Sequence, residues 1–242
     1  LANVKDFVDR GGNMVILGEY ERSENMNSLG ALFGVHFSDG VLAHPNKLGA
    51  PVVLCASYTD EAVEKHSAFN RMQAWGYGVS VPTAVALDYS QVKDFEVYPV
   101  LVTGDSAWIE HETKDMVDGE FVCNPAAGEK EGNYAVLINL SRKIGDKEQR
   151  IIISGDSDFI TNEEFGLTRP GMEVNNFEVI TGSFRWLSYD AYPIYTDRIG
   201  AIDNGINLSG GWRVWIKLFF MILFPAFLVG TGVTIIYRRQ RK

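Results

Sequence analysis

The chain has 242 residues, of which 22 are basic and 31 acidic, and it contains only two cysteines. That balance repels phosphate backbones and argues against nucleic acid as a partner. Cys55 and Cys123 have no second Cys or His at metal-site spacing, so they form either one disulfide or two free thiols.

Leu1 is not Met and no signal-peptide pattern follows it, so an upstream portion is expected. Val4, Phe7 and Val8 fall on one helical face, Gly11-Gly12 ends that helix, and Met14 to Leu17 reads as a short buried strand. A helix feeding a strand through a Gly pair fits the middle of a βαβ domain. A second helix is expected from about Ser23, with Met26, Leu29, Leu32 and Phe33 as its stripe and Gly34 as its stop.

Val35 to Leu42 and Val52 to Ala56 are strand candidates, and the aromatic stretch from Trp75 to Pro82 reads as a loop. Tyr98 to Thr103 is a strand. Tyr134 to Leu140 and Arg150 to Ser154 read as a hairpin joined by a polar loop, Ser141 to Gln149. Phe177, Ile180, Phe184 and Leu187 recur at helical spacing within Asn175 to Ser188. The stretch from Asp190, with Pro193 and Asn204-Gly205, lacks periodicity and reads as a stalk over 190–211. Asn139-Leu140-Ser141 and Asn207-Leu208-Ser209 match glycosylation sequons.

Two segments echo each other. Tyr98 to Thr103 and Arg150 to Ser154 each run into Gly-Asp-Ser, as Gly104-Asp105-Ser106 and Gly155-Asp156-Ser157. In an open α/β sheet the carboxyl ends of strands line the ligand crevice, which makes Asp105, Ser106, Asp156, Ser157 and Asp158 the candidate binding residues. The competing reading needs no ligand: Gly permits the sharp turn, and Asp or Ser caps the helical turn that follows.

A serine hydrolase would need a base for its nucleophile. The only histidines are His36, His44, His66 and His111, so none follows Ser157, and Trp108 and Phe159 replace the second glycine of Gly-x-Ser-x-Gly. His111-Glu112 opens a zincin-like motif, but Asp115 occupies the place of the second His. Asp156 and Asp158 with Glu163 and Glu164 lack the spacing of a Ca²⁺ loop. No catalytic residue, metal or cofactor is assigned from the sequence.

Leu218 to Tyr237 runs for about 20 residues without a charge, the length needed to cross a hydrocarbon core. Trp212, Trp215 and Tyr237 sit where interfacial aromatics belong, and Arg238, Arg239, Arg241 and Lys242 follow at once. The expected organisation is an outer domain over 1–189, a stalk over 190–211, a membrane helix over 212–237 and a cytoplasmic basic tail over 238–242. Arg213 and Lys217 are basic too, so the residues before the anchor hold 16 basic against 31 acidic groups, a formal charge of −15.

Gly11 to Gly18, then Ile151 to Phe159 with Asn162, then Asn175-Asn176-Phe177 and Phe184-Arg185-Trp186-Leu187-Ser188, followed by one span and an Arg-rich end, together resemble the Gldg family. These are auxiliary components of ABC transport systems, including gliding-motility-associated ones. The resemblance implies an α/β domain with an open sheet, similar to class I glutamine amidotransferases but without their cysteine nucleophile. It further implies an extracytoplasmic position at the bacterial inner (cytoplasmic) membrane. The implied partners are an ABC permease, a separate ATPase subunit and the bilayer. A non-catalytic transporter component is the expected function, and a surface hydrolase with an unrecognised Ser nucleophile is the alternative.

Overall fold

A tight hairpin forms the centre of the domain. In the computed structural model, which describes residues 1–45, 51–116, 119–169, 171–192 and 210–241, strands β8 (Ala135–Ile144) and β9 (Lys147–Ser154) pair along their full length. Only Gly145 and Asp146 connect them, with Gly145 at φ +60, as a two-residue hairpin turn with Gly first requires. The polar loop expected over Ser141 to Gln149 is therefore mostly strand. Ser141 and Gln149 are buried at its inner ends while Lys143 and Lys147 are exposed near the turn, and the density of charge conceals the strands in the sequence.

The remaining elements are β1 (Met14–Leu17), β2 (His36–Ala43), β3 (Val53–Tyr58), β4 (Val79–Pro82), β5 (Val85–Asp88), β6 (Glu96–Val102) and β7 (Trp108–Glu110). Helices α1 (Ala2–Asp9), α2 (Ser23–Gly30), α3 (Asp60–Lys65), α4 (Ser67–Ala74), α5 (Asn162–Gly166) and α6 (Asn176–Leu187) complete the first unit, Leu1–Ile194. The main sheet is open, with the order β1-β9-β8-β6-β3-β4, and β5-β2-β7 form a second antiparallel sheet. The βαβ expectation does not hold: β1 and β9 are the one parallel pair in the main sheet, and β2 to β8 lie between them in the chain. A two-residue turn forces its strands antiparallel, whereas a parallel neighbour needs a long crossover.

The hairpin is apolar on both faces. Ile152 joins Phe69, Met72, Val136 and Val179 beneath α4 and α6, while Ile151 and Ile153 join Val8, Phe33 and Phe37 on the α1 and α2 side. Val79 to Pro82, expected as loop, is the edge strand β4. Val79, Ser80 and Val81 are buried, and Pro82 is tolerated because the strand has one free side. Helix α2 ends at Gly30, earlier than expected, and the chain turns through Gly34 at φ +75. Helix α6 matches its expected limits to within a residue, and Asn175 caps it by accepting from the Glu178 amide.

The second unit, Tyr195–Lys242, contains α7 (Gly210–Leu218), a π-helical turn over Phe219–Leu223 and α8 (Phe224–Gln240). The widened turn lies just before Pro225, whose ring cannot sit in a regular helical ladder. Val214–Gln240 is 27 residues long, with a mean hydropathy of 2.3 over its apolar 18-residue stretch, long and apolar enough to cross a membrane. Its apolar side chains are exposed, among them Trp215, Phe220, Leu228 and Ile235, as is Trp212 just before it. Thr231 and Thr234 donate to the Leu228 and Gly230 carbonyls at 2.8 Å, so both hydroxyls are satisfied within the helix. Arg238 and Arg239 extend the last helical turn, and the Arg241 guanidinium lies over the Tyr237 ring. Lys242 and residues 193–209, most of the expected stalk, lie outside the described residues.

Candidate functional site

The two Gly-Asp-Ser turns leave the sheet at the same end. β6 and β9 each run antiparallel to β8, which lies between them, so the two strands stand two spacings apart, about 10 Å, and their ends are staggered: Val102 is opposite Ala135 and Ser154 opposite Leu137. No hydrogen bond or ion pair joins one turn to the other among the described residues.

At the β9 end the turn is committed to the backbone. Gly155 lies against β5, where its carbonyl accepts from the Val85 amide, and a Cβ there would come within 2.0 Å of the Val85 carbonyl. Asp156 is 1 % exposed, and its carboxyl accepts from the amides of Asp158 at 2.9 Å and Phe159 at 3.1 Å. Burial pushes its pKa up to about 8 against these two bonds, with Asp158 and Glu19 adding repulsion. Ser157 donates to the Glu19 carboxylate at 2.6 Å. Burial also raises Asp158, reinforced by Glu19, Glu164 and Glu163. This turn thus adopts the capping role, and Ser157 faces a carboxylate with no imidazole beside it.

At the β6 end Gly104, Asp105 and Ser106 are exposed, and the side chains of Asp105 and Ser106 have no polar partner among the described residues. Ser106 lines a hollow of about 380 Å³ with His44, Cys55 and Met172. No bond links Ser106 to His44, whose Nε2 is held by the Val53 carbonyl at 3.1 Å. Cys55 and Cys123 are free thiols, and burial raises the pKa of Cys55. The zincin-like residues serve their own loop: Glu112 accepts from Asn124, and the His111 amide donates to Glu129. Among the described residues no three His, Cys, Asp or Glu gather as metal ligands.

A polar cleft that the motifs do not announce lies on the α4 and α6 side of the same sheet, toward the opposite ends of β6 and β9. It encloses about 390 Å³ between the sheet, the α3–α4 junction and the end of α6. Its floor is set by strand register. Glu96 pairs with Ser141 and Ser141 with Arg150, while one row further in Tyr98 pairs with Asn139 and Asn139 with Ile152. Arg150 is pinned by Glu148 through Nε at 2.8 Å and by the Trp186 carbonyl through Nη1.

The inner row forms a hydrogen-bonded chain. Asn139, 2 % exposed, donates to the Tyr98 hydroxyl at 3.1 Å, and Tyr98 lies 2.8 Å from His66 Nε2. Burial pushes His66 down to about 4, aided by Arg150 and Lys65, and raises Tyr98 to about 12. At neutral pH both are uncharged, so Tyr98 donates to Nε2, and the remaining proton of His66 sits on Nδ1. That assignment gives the Tyr98 hydroxyl proton and one Asn139 amide proton an acceptor. Nδ1 has no partner among the described residues, and Asn139 Oδ1 is buried without one. The Asn139 sequon is consequently unavailable for glycosylation, because its amide is inside the fold.

Across the cleft Arg185 pairs with Asp190 at 3.3 Å, and Tyr189 and Asp190 both hold positive φ where α6 ends. Lys65 covers the Tyr98 ring and Arg150 flanks the Trp186 ring. No family model matches this sequence, and no curated protein matches it.

Proposed function

We propose that the chain is a membrane-anchored, non-catalytic binding component of an ABC transport system, its α/β unit extracytoplasmic at a bacterial inner membrane. The observation that carries this reading is an uncovered apolar helix of 27 residues in the same chain as a folded α/β unit with an open polar cleft. Two further features support it. Ser157 is bonded to a carboxylate where a nucleophile needs a base, and the basic residues concentrate after Tyr237. The likeness to class I glutamine amidotransferases and the Gldg family belongs to the same proposal, as does reliance on a permease and a separate ATPase.

The decisive experiment is purification of the full chain from its native membrane after in-cell crosslinking. Recovery of a permease together with an ATPase carrying a Walker motif is expected, and recovery without any ATPase would overturn the transport reading. In sealed spheroplasts, external protease should digest the α/β unit and spare a tag placed after Lys242. Loss of that tag would reverse the orientation. The hydrolase alternative draws on Ser106 and His44 sharing one hollow. Ester or amide hydrolysis by the purified chain that disappears in Ser106→Ala would establish it in place of the non-catalytic reading.

A further inference from the structure

The sheet register gives the cleft a direction. Glu96, Ser141 and Arg150 form one row across β6, β8 and β9, so a carboxylate, a hydroxyl and a guanidinium lie in line, about 10 Å from end to end at the backbone. Glu96 has no ion pair or hydrogen bond among the described residues, and Ser141, although nearly buried, lines the cleft without a side-chain bond. Arg150 commits three of its five N–H groups, two to Glu148 and one to Trp186, leaving one on each terminal nitrogen. One end of the row is therefore an acceptor for cations and the other a donor for anions.

Other ligand classes fit less well. Lys65, Arg150 and Arg185 balance Glu96, Glu148 and Asp190, so the lining has no net charge to hold a simple anion or cation. A sugar ring would need an open aromatic face, but Lys65 lies over Tyr98 and Arg150 over Trp186. An apolar ligand would strip water from six charged groups without replacing their bonds.

We propose that the cleft binds a short peptide with free termini, its ammonium at Glu96, its carboxylate at the Arg150 end and its backbone over Ser141. An extended chain advances about 3.3–3.6 Å per residue, so two to three residues span about 7–10 Å, matching the row. His66, which also lines the cleft, brings its Nδ1–H to the inner side of the row as a donor, complementary to a peptide carbonyl. The inference rests on the reading of the α/β unit as a binding module and names its ligand class.

The test is isothermal titration of the full chain in detergent micelles with trialanine, N-acetyl-trialanine and trialaninamide. Trialanine should bind saturably, and capping either end should weaken binding by about tenfold or more. Glu96→Gln should weaken trialanine by a similar factor yet leave N-acetyl-trialanine unchanged, a pattern that a general loss of folding would not produce. Equal binding of free and capped peptides, indifference to Glu96→Gln, or no heat at millimolar trialanine would each overturn the proposal. Peptide binding without a copurifying ATPase would remove the transport reading and keep the site. An ATPase partner without peptide binding would do the reverse.

Discussion

The two ends of the central sheet use polar residues in opposite ways. Where β6 and β9 finish, the recurring Gly-Asp-Ser suggests a ligand crevice, yet at β9 the polar atoms are consumed by the chain itself: Asp156 by two amides and Ser157 by Glu19. Toward the other end no motif recurs, yet Glu96, Ser141 and, through Nδ1, His66 present groups to the cleft that have no partner among the described residues. The crevice rule for strand ends applies to sheets whose neighbours run parallel. Here the antiparallel strand β8 separates the like-directed β6 and β9, and the open space lies along a face of the sheet.

If this contrast is right, substitutions at the β9 end should damage folding and those in the cleft should not. The largest effect is expected for Asn176→Ala. This buried side chain accepts from the Ser80 amide and donates to the carbonyls of Ser80 and Phe159, tying the post-β9 turn to the edge strand. Losing three buried bonds should cost about 3 kcal/mol, read by denaturant unfolding of the full chain in detergent. A change below 1 kcal/mol would show that the turn does not depend on this tie.

Next comes Asp156→Ala, which orphans two amides and should cost about 1–3 kcal/mol, while Asp105→Ala should stay within about 0.5 kcal/mol. Equal costs at the two positions would erase the difference between the twin motifs.

A smaller effect is expected with pH. Asp156 titrates at about 8 in the folded state, above its ordinary 3.8, so folding retains a proton that the unfolded chain releases. Its contribution to stability therefore falls as pH rises through that window. His66 acts in the opposite sense, because its folded value of about 4 lies below the ordinary 6.5, and stability is lost as pH drops through 6.5 toward 4. Above pH 6.5 only Asp156 remains of the two. Between pH 6.5 and 8 the protein should lose about 1–2 kcal/mol, and Asp156→Asn should flatten that slope. An unchanged slope in the variant would refute the buried proton.

The smallest change in stability is expected from Glu96→Gln, within about 0.5 kcal/mol, since the side chain is exposed and unpaired among the described residues. A large loss would make Glu96 part of the framework and remove it as a binding group.

Local signals sufficed wherever an element is self-contained. The uncharged run from Leu218, the helical spacing of Phe177, Ile180, Phe184 and Leu187, and the apolar strand Met14 to Leu17 all appear where the sequence places them, because periodicity and length alone decide them. Short strands such as Val79–Pro82, Val85–Asp88 and Trp108–Glu110 gave no periodic signal, since three or four residues hold too few alternations to count. The roles of the two Gly-Asp-Ser turns were not legible either, because burial by β5 and the nearness of Glu19 come from distant parts of the chain. The cleft depended most on the tertiary fold. Glu96, Ser141 and Arg150 are far apart in sequence and meet only through register, and register follows from a two-residue turn whose neighbouring charges read as loop. Residue type alone determined the helix and the strand cores. Which polar groups were spent and which stayed open was decided by the pairing of strands, because a side chain's partners are set by its neighbours across the sheet.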